Sequence, residues 1–235
     1  MEIGKVQSLW RYPVKSILGE SLPNLVVDAR GVSGDRVYAI SNTEGKFASG
    51  KDTRRFRRID GLFSVEAKTV GDAVLLKFPD GAEFPTHSYQ ICNKLSQFLG
   101  QQVTLTREAE TPHFDDGPIH ILTTASLRLL SSILSDAGID PKRFRPNIVL
   151  DTQYLDGDLI GKKIQCGGCT LEVTHNTERC RMITLEQGDI ENRPEILKSV
   201  SKRFDLNFGV YARVLTSGPI SVGDSVLIKS PISMP

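Results

Sequence analysis

The Gly167-Gly168 pair constrains the chain more than any other short stretch. Paired glycines tolerate the backbone of a tight two-residue hairpin turn, and the apolar run from Ile164 to Val173 flanks them on both sides. Such a hairpin sets Cys166 and Cys169 opposite each other across a ladder. Their CxxC spacing otherwise suggests zinc or thioredoxin-like redox chemistry, yet no second pair follows and no βαβ context surrounds them. A reduced hairpin pair is the expectation, and an adventitious disulfide the alternative.

Short strand-like runs recur along the rest of the chain, punctuated by glycine and proline. They cover Ile3 to Trp10, Leu22 to Val27, Val37 to Ile40, Val103 to Thr106, Ile119 to Leu122, Phe208 to Leu215 and Val222 to Ile228. Leu62 to Ala67 and Val74 to Phe78 read as a further pair. Three stretches change to a helical period. Tyr89 to Leu99 has Ser88 as N-cap and Gly100 as stop, a helix beginning at Leu127 runs to Gly138, and another follows Asn192 and Pro194. The pattern predicts an α+β, mostly β protein whose sheets curl into barrels, with a few peripheral helices. A polar, turn-rich connector around TREAETPHFDDGP divides it into segments 1–108 and 109–235. His113, Asp115 and Asp116 in that connector read as surface loop, because no second ligand cluster matches them.

A net charge of +1 provides no overall field to draw the chain to nucleic acid or an anionic membrane, so any anion site must be local. The opening MEIGKVQSLW lacks a signal-peptide pattern and no run approaches a membrane span, so a cytoplasmic protein is expected. Four cysteines do not make a disulfide framework in a chain of 235 residues.

Several residues carry candidate chemistry. Cys180 lies between Arg179 and Arg181 in THNTERCRMIT, which suits a metal ligand, a nucleophile or a plain surface thiol. Lys15 and Ser16 place a cation beside a hydroxyl, and Arg36 opens a strand. Thr123, Thr124 and Ser126 begin a helix, where hydroxyls serve as caps and free N–H groups favour phosphate. Pro146 biases Arg145 towards extended backbone, so Arg145 and Asn147 are expected on one side, matched to a phosphate or heterocycle edge. Lys51, Arg54, Arg55, Arg57 and Arg58 form a basic run that is either a partner patch or a solvated face.

Taken in order, Tyr12-Pro13-Val14-Lys15-Ser16, Gly34-Asp35-Arg36, Leu122-Thr123-Thr124-Ala125-Ser126-Leu127, Phe144-Arg145-Pro146-Asn147-Ile148-Val149, Arg179-Cys180 and Phe208-Gly209-Val210-Tyr211 resemble the MOSC proteins. The resemblance is to members with an associated N-terminal β-barrel domain, here 1–108, ahead of the MOSC domain, here 109–235. It implies the molybdenum cofactor (molybdopterin), with Cys180 as metal ligand and Lys15, Ser16, Arg36, Thr123, Thr124, Ser126, Arg145 and Asn147 around the phosphate and pterin. It further implies reduction of N-hydroxylated compounds such as amidoximes and hydroxylamines. Electrons would come from a separate reductase or ferredoxin-like donor, since the sequence offers no cysteine set for an iron–sulfur cluster. Some MOSC proteins instead carry sulfur or the cofactor itself, and Cys180 would serve there as a persulfide site.

Overall fold

The computed structural model describes residues 1–110, 112–135 and 138–229. Seven strands close into a barrel in the order Ile148–Thr152, Ile119–Thr123, Asn207–Thr216, Cys169–Glu178, Lys163–Cys166, Ser225–Lys229 and Glu2–Arg11, the last pairing back to the first. Within the barrel only Ile119–Thr123 and Ile148–Thr152 pair in parallel, and a helix lies between them in the chain. The first strand of the chain therefore completes a barrel otherwise built from the second half. The Gly167-Gly168 hairpin forms as expected, with Cys166 opposite Cys169. Both thiols are free and fully buried, and Cys169 Sγ donates to the Cys166 carbonyl. Burial pushes the Cys169 thiol up to about 11, so neither sulfur is poised for attack at neutral pH.

Side-chain alternation explains how the barrel is covered on both sides. In the strand Ile119–Thr123, Ile119 and Ile121 enter the barrel core beside Ile148, Leu150, Val173 and Val210. Leu122 points outward, as does Val149, and both meet a second cluster with Leu130, Ile196 and Phe208. That outer cluster is capped by helices α2 (Thr124–Leu134) and α3 (Pro194–Phe204), named after α1 (Ile91–Leu99) in the other lobe. The N-terminal lobe packs a four-stranded and a three-stranded sheet around Ile17, Ile40, Leu76 and Leu95. Among the described residues no helix is long and apolar enough to cross a membrane.

Local departures have physical causes. Leu62–Ser64 is a 3-10 turn rather than the start of a strand: Gly61 enters it at φ 86°, and the consecutive Leu62 and Phe63 are both buried, which a strand cannot arrange on one face. Helix α1 ends at Gly100 as read, but α2 ends at Leu134, with Ser135 adopting the left-handed cap ahead of Gly138. Helix α3 has Arg193 rather than Asn192 at its N-cap position, followed by Pro194.

Candidate functional site

The strand Cys169–Glu178 loses register twice towards its end and leaves the sheet at Arg179, whose N–H donates to the Leu206 carbonyl at 2.7 Å. Cys180 follows in extended conformation and caps the 3-10 turn Arg181–Thr184 without a side-chain hydrogen bond, leaving its thiol half-buried. This exit turns Arg179 into the same cleft as Cys180, although neighbours in a regular strand point to opposite faces. Arg181 does not line the cleft; its guanidinium is exposed and donates to the Gly50 carbonyl at 3.3 Å.

The cleft encloses about 90 Å³ between the lobes. Of the residues singled out from sequence, Lys15, Ser16, Arg36, Arg145 and Cys180 line it together. Three of the six non-glycine residues with positive φ among the described residues are in this set: Ser16 at 64°, Arg36 at 52° and Arg145 at 57°. Each left-handed residue costs on the order of 1 kcal/mol, so strain is concentrated where three polar side chains converge. Arg145 is therefore not extended. It caps the 3-10 turn Pro141–Phe144, and Pro146 disfavours the right-handed helix there without barring this left-handed cap.

Arg145 donates to the Ile17 carbonyl at 2.6 Å and stacks over the Tyr12 ring at 4.2 Å, but its Nη2 is buried without a partner. The same holds for Arg179 Nε, Thr177 Oγ1 and His120 Nε2. These four cleft residues account for four of the six buried, unpartnered side-chain polar atoms among the described residues. Unsatisfied buried polar groups are costly, so their clustering marks a place built to receive a polar ligand.

Lys15 is almost fully buried and donates to the His113 carbonyl at 2.7 Å and to Asp115 at 2.6 Å. Burial pushes its ammonium down to about 8, against the pull of Asp115. The Asp115 side chain is more than half exposed, and Lys15 and Arg36 hold its carboxyl well below the usual range. The connector departs from the surface-loop reading at His113, which is buried; Asp115 and Asp116 are exposed as expected, although Asp115 pairs with Lys15 at the cleft. Arg36 is held by Asp35 and by the Arg145 carbonyl at 3.3 Å. His120 Nδ1 meets the Arg145 carbonyl at 3.2 Å, which assigns the proton to Nδ1 and leaves Nε2 as an acceptor. Burial keeps this imidazole neutral, and Gly209 makes room for it, since a Cβ there would lie 2.2 Å from Nε2.

Four sequence candidates are elsewhere. Asn147 is fully buried, with its amide spent on the Trp10 carbonyl, the His120 N–H and Arg36. Thr123 caps α2 through the Ser126 N–H, Ser126 Oγ accepts from the Asp156 N–H, and Thr124 donates to Asp151. None of these four lines the cleft. From the basic run, Lys51 reaches the cleft, while Arg55 donates to the Pro112 carbonyl and Arg58 pairs with Asp60. Among the described residues no group of three or more histidine, cysteine or acidic side chains could hold a metal ion unaided, so any metal here would bring other ligands with it.

Residues 99–227 match the MOSC domain model and residues 3–113 the MOSC N-terminal beta barrel domain model. The chain is 23% identical to mitochondrial amidoxime-reducing component 1 of Mus musculus, over 97% of this chain and 83% of that protein. A 93-residue stretch is 31% identical to the molybdenum cofactor sulfurase of Drosophila ananassae, covering 37% of this chain but only 12% of that protein. The fold is shared with the YUAD protein of Bacillus subtilis, at a TM-score of 0.55 and 14% identity over 95% of this chain and 93% of that one. The barrel, its N-terminal companion lobe and the cysteine cleft between them are thus those of a protein that belongs to the MOSC domain family.

Proposed function

We propose that the cleft binds the molybdenum cofactor, with Cys180 as the protein ligand to the metal, and that the protein reduces N-hydroxylated compounds with electrons from a separate reductase or ferredoxin-like donor. The observation that carries this reading is the convergence of a half-buried thiol with Lys15, Arg36, Arg145 and Arg179 and with buried polar atoms that lack partners. This donor set fits the cofactor's polar groups and metal: cations and a hydroxyl for a phosphate, a neutral imidazole acceptor for a heterocycle N–H, and a soft sulfur for the metal. Its body, larger than the cleft, would extend into the adjoining space that Arg145 also lines. Similarity to the amidoxime-reducing component over nearly the whole chain supports the activity.

In this reading Lys15, Ser16 and Arg145 hold the phosphate and pterin, and Arg36 is oriented for the same task by Asp35 and Asn147. Thr123, Thr124 and Ser126 act at one remove by fixing the start of α2 against the barrel. Arg179, packed over the Phe144 ring, supplies positive charge beside Cys180. When bound, the cofactor supplies a site that accepts the substrate oxygen and stores two electrons. The net reaction consumes two electrons and two protons, cleaves the N–O bond and releases water. The test is turnover of hydroxylamine by molybdenum-loaded protein with reduced methyl viologen as donor. Stoichiometric loading without any turnover would defeat the reductase reading. The similarity to a cofactor sulfurase favours a second reading, in which Cys180 carries sulfur. Cyanide-labile sulfur on metal-free protein, lost in Cys180→Ser, would support it.

A further inference from the structure

Beside the cleft lies a larger cavity of about 660 Å³ between the lobes, within the range of small-molecule sites. Its chemistry is opposite to that of the cleft. Ile59, Leu62, Phe63 and Phe78 from the N-terminal lobe face Met182 and Leu185 from the other. Its charged residues are Asp60, Glu66 and Glu186 against Lys77, with Asp60 paired to Arg58 at its edge. No cluster of cations is present to hold a phosphate. An apolar body, neutral or weakly cationic, is the occupant that this lining suits.

Met182 lines both spaces and forms the wall between them. Its sulfur lies 2.9 Å from the Gly50 N–H, and a Cβ on Gly50 would fall 2.5 Å from that sulfur. Glycine at position 50 thus lets an unbranched, polarisable side chain serve as the partition. A thioether is a weak acceptor that rotates at little cost, which suits a wall shared by two sites.

We propose that this cavity is the substrate vestibule: it takes the apolar, preferably aromatic, body of an N-hydroxylated compound while the N–O group reaches past Met182 towards Cys180. The proposal rests on the reductase reading for its substrate class. It implies discrimination by body as well as by reactive group, with aryl compounds favoured over hydroxylamine itself.

The test compares benzamidoxime with hydroxylamine. Ser64 and Glu186 are exposed residues of the cavity lining, one from each lobe, so tryptophan at either fills the space without entering a core. Ser64→Trp and Glu186→Trp are both made, so that one misfolded variant leaves the other. Calorimetric titration of benzamidoxime is run on cofactor-free and molybdenum-loaded protein. Each variant is expected to weaken binding at least tenfold and to lower the ratio of kcat/KM for benzamidoxime over hydroxylamine by a similar factor. Unchanged affinity and an unchanged ratio in both folded variants would overturn the proposal. So would loss of benzamidoxime binding on cofactor loading, which would assign the space to the pterin. If loaded protein reduces neither compound, the reductase reading falls, while the titrations with the tryptophan variants still decide whether the cavity binds an aryl body.

Discussion

Replacing Lys15 with methionine should remove one rising component from the pH dependence of the cofactor-free protein's stability while weakening its hold on anions. In the folded chain the ammonium is nearly devoid of solvent contact and its pKa falls from the ordinary 10.5 to about 8, burial being the main cause. A lysine depressed in this way penalises the folded state at neutral pH. Between about 8 and 10.5 the unfolded chain binds the proton and the folded chain does not, so the lysine's contribution to stability rises with pH across that window. The full penalty is roughly 3 kcal/mol at about 1.4 kcal/mol per tenfold change in proton affinity. Tyr12 and Tyr211 are both raised by burial above the ordinary 10, and they reverse the slope once unfolded tyrosines ionise. Cys166 and Cys169, raised by burial above the ordinary 9, lower stability between about pH 8 and 9.5, but equally in both proteins. The difference between wild type and variant therefore isolates the lysine, about 2 kcal/mol over that range. Urea denaturation at half-unit steps is expected to show the wild type gaining that amount relative to Lys15→Met. Methionine leaves the His113 carbonyl and Asp115 without their donor, so its absolute stability at pH 7 should rise by only about 1 kcal/mol or less. Parallel stability curves from pH 8 to 9.5 would refute the reasoning, because they would mean that Lys15 titrates alike in both states.

The same ammonium predicts the pH dependence of ligand binding: inorganic phosphate affinity for the cofactor-free cleft should fall as pH rises through about 8, with proton uptake on binding measurable by titration in buffers of different ionisation enthalpy. A flat affinity from pH 7 to 9.5 would remove Lys15 from the anion site. Ser126→Ala should cost about 1–3 kcal/mol, since it strands the buried Asp156 N–H, and should leave molybdenum content unchanged because Ser126 does not reach the cleft. Denaturant melts and metal analysis on one preparation check both halves.

Much of the architecture was legible because it rests on local chemistry. Two glycines between apolar runs make a hairpin, and period-two alternation sends Ile119 and Ile121 into a barrel while Leu122 meets the helices. What escaped was conformation set by distant packing. Arg145 reads as extended from Pro146, but its role as cap of the preceding turn and its stack on Tyr12 impose the left-handed form. Leu62 and Phe63 read as strand because burial of consecutive residues has no local signature. The cleft itself was half legible. Lys15, Ser16, Arg36, Arg145 and Cys180 carry the chemistry in their types, whereas Thr123, Thr124, Ser126 and Asn147 carry the same types and spend them on internal bonds. Asp115 sits one hundred residues from Lys15, and no spacing rule could pair them. His120 and Thr177 are visible as site residues only through buried atoms that lack partners.

The central claim is that Cys180 and the cations around it hold the molybdenum cofactor. Molybdenum and pterin content of protein purified from a cofactor-competent host, wild type beside Cys180→Ser, tests it most directly. The expected result is near-stoichiometric molybdenum in the wild type and altered metal ligation by X-ray absorption, with one fewer sulfur neighbour, in a variant that melts at the wild-type temperature. Molybdenum reproducibly absent from the wild type, or identical ligation in the folded variant, would contradict the assignment.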